Sequence, residues 1–118
     1  MARAVRKIVL NMRFKVVVGE QVYAVDVAEA LLQNVGEFHA KLDRDMDRGW
    51  QMSREFVAQP DRLQRCQIVA DKLLTSLNNG NEASAMLMAG YIAVSVPGAI
   101  GVDIDDSGEM QNTELLFA

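Results

Sequence analysis

The chain has 118 residues, half of them hydrophobic, a formal net charge of −4, one cysteine and one histidine. That length suits a single domain over residues 1–118, able to bury about two thirds of its unfolded surface without staples. Cys66 alone excludes an internal disulfide, and Cys66 with His39 is too small a set for a Cys/His metal cluster, so a cytoplasmic, reducing setting is expected.

Charge is distributed unevenly. Residues 1–19 carry five Lys/Arg and no acid, whereas residues 73–118 carry six acids and no Lys/Arg. The two ends are therefore complementary, suited to lying side by side in one sheet or to pairing between subunits. Five basic residues on one strand pair make few phosphate contacts and the acidic remainder repels a polyanion, so no nucleic-acid partner is expected. Ala83 to Val102 is a run of 20 uncharged residues, long enough to span a membrane. Serines and small residues dilute it, Pro97-Gly98 interrupts it, and Glu82 and Asp103 flank it without a Lys/Arg anchor. It reads as a buried helix followed by a buried strand, with no membrane partner. The apolar run Ile8 to Met12 is too short, and too soon broken by Arg13 and Lys15, for a secretory signal.

In chain order, Ile8, Leu10, Met12, Phe14, Val16 and Val18 alternate with mostly polar neighbours, the pattern of a half-buried strand. Gly19-Glu20 fits a two-residue hairpin turn, in a register that sets Val16 opposite Tyr23 and Phe14 opposite Val25. Asp26 and Glu29 resemble a capping box ahead of Leu31, Val35, Phe38, Leu42 and Met46, which predicts a helix over about 27–48 capped by Gly49. Trp50 to Gln59 reads as an irregular or single-turn connection. Pro60 opens a second helix over about 60–78, with Leu63, Cys66, Ala70, Leu73, Leu74 and Leu77 on its apolar face. Asn78-Asn79-Gly80 ends it, and Asn81 caps a third over about 82–96 to make an αα-hairpin. Ile100, Val102 and Ile104 then restore period two, Asp106-Ser107-Gly108 is turn chemistry, and residues 109–117 return as a last strand. The order predicts an α+β fold: an N-terminal β-hairpin, three helices and a C-terminal β-hairpin, with one antiparallel sheet packed against the helices.

One motif carries chemistry. Asp103, Asp105, Ser107, Gly108 and Glu114 occupy positions 1, 3, 5, 6 and 12 of the run DIDDSGEMQNTE, the ligand spacing of a calcium-binding EF-hand loop. Alternate side chains of a curled loop can converge oxygens on a hard cation, which makes Asp103, Asp105, Ser107 and Glu114 the candidate calcium ligands. The flanks lack the helices such a loop needs, and an acidic β-turn is the plainer reading. Otherwise no cofactor is expected. His39 and Asp43 stand at salt-bridge spacing on one helix, as do Lys41 with Asp45 and Arg44 with Asp47, so Asp43, Asp45 and Asp47 read as a solvated helix face rather than paired catalytic carboxylates. Cys66 reads as a small buried hydrophobe. No nucleophile elbow, phosphate loop or zinc motif appears, so an enzyme is the weaker reading. Trp50, the only tryptophan, reads as a lid over the helical layer or, with Met52, Arg54 and Phe56, as a partner-binding patch. The expectation is a small non-catalytic accessory or regulatory protein working through protein contacts as a homodimer or with another protein. Calcium binding is the alternative.

Overall fold

The computed structural model describes residues 11–28 and 35–118. Strand β1 (Asn11–Val18) and strand β2 (Gln21–Ala28) form the expected hairpin, with Val16 opposite Tyr23 and Phe14 opposite Val25. Gly19 takes a φ of 61° in the turn, as a two-residue hairpin loop requires of its first position. The expected strand residues Ile8 and Leu10 lie outside the described residues.

The helix expected over about 27–48 does not include residues 27 and 28. Asp26 and Val27 belong to β2, where Asp26 faces Arg13 across the hairpin and pairs with it at 3.2 Å. Apolar residues at 23, 25 and 27 continue the strand alternation, and a full ladder to β1 outweighs the weak local capping signal. Glu29 and Leu31 lie outside the described residues. Helix α1 spans Gly36–Asp47 and buries Leu42 and Met46. Beyond it Gly49, at φ 90°, returns its N–H to the Met46 carbonyl at 3.0 Å.

The segment after Gly49 is not irregular. Strands β3 (Trp50–Met52) and β4 (Glu55–Val57) form a second, two-stranded antiparallel sheet, turned by Ser53 at φ 61°. Helix α2 spans Arg62–Asn78 and starts two residues later than Pro60 suggests, because Asp61 is the cap. The Gln64 amide N–H donates to the Asp61 carboxylate at 2.8 Å, and the Gln64 side chain accepts from the Asp61 N–H at 2.9 Å, a complete capping box. Helix α3 spans Glu82–Ser95, and the Asn81 side chain caps it by accepting from Ser84 N–H at 3.0 Å. Thus α2 and α3 form the αα-hairpin, and the long neutral stretch is α3 followed by strand β5 (Ala99–Ile104). No described helix is long and apolar enough to cross a membrane.

Strand β6 (Glu114–Phe117) pairs antiparallel with β5 after a short 3-10 turn at Met110–Asn112. The main sheet has the order β2-β1-β5-β6. Both hairpins share it, but they join through a parallel pair, β1 with β5, so the α+β fold carries a mixed sheet rather than a wholly antiparallel one. Phe14, Val16, Val25, Val27, Val102 and Ile104 point from one face of the sheet into a core shared with Ile68, Leu73, Ala89 and Ile92. Gln67, buried on α2, donates to the carbonyls of Gln111 and Thr113 at 3.0 Å each and so fixes the entry to β6.

Candidate protein-contact site

The β3–β4 hairpin divides the four residues expected to bind a partner. Met52 is fully buried in the core and is unavailable to a partner, because strand alternation turns it inward while its neighbours point out. Trp50 is half-buried against the core, and the Lys72 ammonium sits 4.7 Å from its ring centroid, a cation–π contact that fixes the indole as a lid. Arg54 is exposed at the turn, and the Phe56 ring is 58% exposed. The hairpin is tied down from both sides: Met110 N–H donates to Ser53 Oγ at 2.8 Å, and the Gln111 amide donates to Glu55 at 2.8 Å. A Cβ on Gly49 would stand 2.4 Å from the Phe56 ring, so glycine is what lets that ring lie across the strand start.

A second surface was not visible as such in the sequence. Helices pack on the face of the main sheet that carries Phe14, Val16, Val25, Val27, Val102 and Ile104, and on the other, open face Lys15, Val22, Ala24, Asp103 and Glu114 are exposed. Two cross-strand rows lie on that open face. One is Val22, Val17, Asp103 and Glu114, the other Ala24, Lys15, Gly101 and Leu116. Val22 is 61% exposed, and Lys15, Asp103 and Glu114 are exposed. The basic N-terminal strand and the acidic C-terminal strands thus do lie side by side.

The EF-hand spacing does not bring its residues to one point. Asp103 and Glu114 stand opposite each other in β5 and β6. Asp105 lies beyond the strand, where its carboxylate accepts from Ser107 Oγ at 2.7 Å, Glu109 N–H at 2.9 Å and Ser107 N–H at 3.1 Å. These bonds, first the Ser107 hydroxyl and then the Glu109 amide, hold its pKa below the usual carboxylate value. Among the described residues no three His, Cys, Asp or Glu side chains are grouped to hold a metal ion.

The helix carboxylates are placed differently from expectation. Lys41 does pair with Asp45, at 3.0 Å. Asp43 does not pair with His39; it accepts from the Tyr91 hydroxyl at 2.5 Å and from Arg65 at 3.1 Å. Asp47 goes to Arg65 at 2.7 Å rather than to Arg44. Arg65, one side chain reaching two carboxylates and the Pro60 carbonyl, locks α1 to the start of α2. His39 instead lies 3.3 Å from the Leu87 carbonyl with its Nε2, which donates there, and meets Tyr91 edge-on at 5.4 Å. Its burial lowers its pKa. Burial, and then the bond to Asp43, raises that of Tyr91. Tyr91 gave no sequence signal, since its partner is 48 residues away. Cys66 is fully buried as expected, and burial pushes its thiol up to about 11.

Comparison with protein-family models, with curated proteins and with solved structures gives no match to this chain.

Proposed function

We propose that this chain is a non-catalytic accessory or regulatory protein that acts through protein contacts, and that the β3–β4 hairpin is where it meets a different protein. The observation that carries this reading is the exposed Phe56 ring on a hairpin braced at Ser53, Glu55 and Trp50. Aromatic and arginine side chains supply much of the energy of protein interfaces, and a rigid mount lowers the ordering cost of binding. Arg54, beside it at the turn, adds a charged contact. The polar network of Asp43, Arg65 and Tyr91 is satisfied internally and works as a brace between helices.

Affinity capture from the native host, with the wild type beside Arg54→Ala and Phe56→Ala variants, tests this. A specific partner that is retained by the wild type and lost by Phe56→Ala supports the reading. A partner held equally by all three proteins removes the hairpin from the contact.

A further inference from the structure

The reading above supposes that the protein works through protein contacts; the next step rests on it and names a first partner. We propose that a second copy of this chain covers the open face of the main sheet, packed face to face about a two-fold axis running across the strands.

The charges on that face favour self-association. Arg13 is already engaged by Asp26, but Lys15 pairs with no carboxylate among the described residues. Asp103 and Glu114 stand directly opposite each other, and like charges so placed destabilise a strand pair. The face thus holds a cation and two carboxylates on adjacent rows. An axis between the two rows places the partner subunit's Lys15 over Val17, one strand away from Asp103, and the reciprocal contact follows by symmetry. The same operation sets Val22 over the partner's Ala24, Asp103 over the partner's Gly101 and Glu114 over the partner's Leu116. Val17, Val22, Ala24 and Leu116 supply the apolar area between the charges.

A face carrying both signs a few ångströms apart suits its own copy better than a single-sign surface. An anionic membrane would meet Asp103 and Glu114 unfavourably. Four strands about 4.8 Å apart, with about six residues each at about 3.3 Å, span about 400 Å² per copy, half the area per partner of a standard stable interface, so the dimer is weak and reversible. Sheets packed this way lie about 10 Å apart, and the helices then form the two outer layers.

Sedimentation velocity on the full chain, at about 10 to 300 μM, reads the outcome. The wild type is expected to be dimeric at the upper end. Lys15→Glu alone, and Asp103→Lys with Glu114→Lys in one chain, are each expected to weaken the dimer about tenfold or more, because each homodimer then opposes like charges twice. An equimolar mixture of these two variants restores opposite charges at both contacts and is expected to recover the wild-type association. Val22→Glu, which leaves Lys15, Asp103 and Glu114 in place, is expected to dissociate the dimer too, and circular dichroism checks that each variant is folded. A wild type that stays monomeric at 300 μM overturns the proposal, as does a Lys15→Glu or Val22→Glu protein that stays dimeric or a mixture that forms no heterodimer. Phe56→Ala keeps the dimer if both readings hold. Loss of dimer with capture of the foreign partner intact in the Lys15→Glu protein separates the two surfaces.

Discussion

A Cβ on Gly101 would stand 2.3 Å from the carbonyl oxygen of Lys15, nearer than side-chain carbons come to any backbone oxygen in real proteins. The two residues face each other across the parallel pair that joins the hairpins, so the sheet closes at this point only because residue 101 has no side chain. Gly101→Ala must force β1 from β5 and is expected to cost about 1–3 kcal/mol, in the range of an overpacked core. Urea unfolding measures it. Gly36→Ala, where an added Cβ meets nothing within 4 Å, is the matched control and should cost nothing, since alanine is the better helix former. Equal stabilities for the two variants would contradict the tightness of the seam.

That seam also marks where the sequence stops being informative. The β1–β2 register follows from Gly19-Glu20 and from alternation within 18 contiguous residues, so it is legible. Helices α2 and α3 are legible because Pro60, Gly80 and Asn81 are local punctuation, although the cap of α2 is Asp61, one residue beyond the expected Pro60. A parallel pairing between Lys15 and Gly101 leaves no local trace, because either direction satisfies the same alternation. The β3–β4 turn is hidden for a different reason: Ser53 takes a positive φ that glycine or asparagine usually signals. Asp43 was legible as a charged helix residue but not as the acceptor for Tyr91 and Arg65, since side-chain partners from other helices are set by packing. Of the expected partner patch, Arg54 and Phe56 stayed outside, and Met52 turned inward by the strand period that the expected loop lacked.

Asp43 is expected to matter far more to stability than Asp45, although both are helix carboxylates four residues from a basic or aromatic neighbour. Removing the Asp43 carboxylate takes its acceptor from the Tyr91 hydroxyl, in a residue 4% exposed, while Arg65 Nη1 keeps its bond to the Asp43 main-chain carbonyl at 3.2 Å. Leaving such a group without a partner costs about 1–3 kcal/mol. Asp43→Ala is therefore expected to lose about 1–3 kcal/mol, whereas Asp45→Ala, at an exposed i,i+4 pair, should lose far less. Thermal unfolding of the two variants checks the ordering, and near-equal losses would mean that the network does not brace α1 against α2.

The lowered pKa of His39 has a definite consequence for pH. Burial disfavours the imidazolium in the folded chain, so the unfolded state binds the proton more tightly. The native state keeps its full advantage above the unfolded value of 6.5 and loses it as pH falls from there toward the lower folded value. Asp45 and Asp105, with folded pKa values below 3.8, withdraw their stabilisation only in a separate, more acidic window. The Tm should therefore fall in two stages, and His39→Gln should abolish the first, between about pH 7 and pH 5. A wild-type Tm flat over that interval would refute the assignment.

Cys66 offers a probe of global opening. Its side chain is fully buried and its thiol pKa is raised to about 11, so almost no thiolate exists near neutral pH and no reagent reaches the sulfur in the folded state. A disulfide reagent at about pH 8 is expected to modify it only at the rate at which the domain opens, and fast in urea. Prompt stoichiometric reaction without denaturant would place the thiol at the surface.

The acidic turn yields the sharpest contrast between sequence and structure. A calcium loop needs the Asp105 carboxylate free to turn inward beside Asp103, Ser107 and Glu114. Here that carboxylate already accepts three hydrogen bonds, from the Ser107 hydroxyl and the amides of Ser107 and Glu109, while Asp103 and Glu114 are fixed by strand pairing. Binding would have to break the turn before it could gain a ligand. Millimolar calcium, the weak end of such sites, is therefore expected to leave the Tm and the amide resonances of residues 103–114 unchanged. Asp105→Ala should lower the Tm equally with and without calcium, because the residue organises its own turn. A calcium-dependent rise in Tm that Asp105→Ala removes would instead show that the turn rearranges to coordinate the ion.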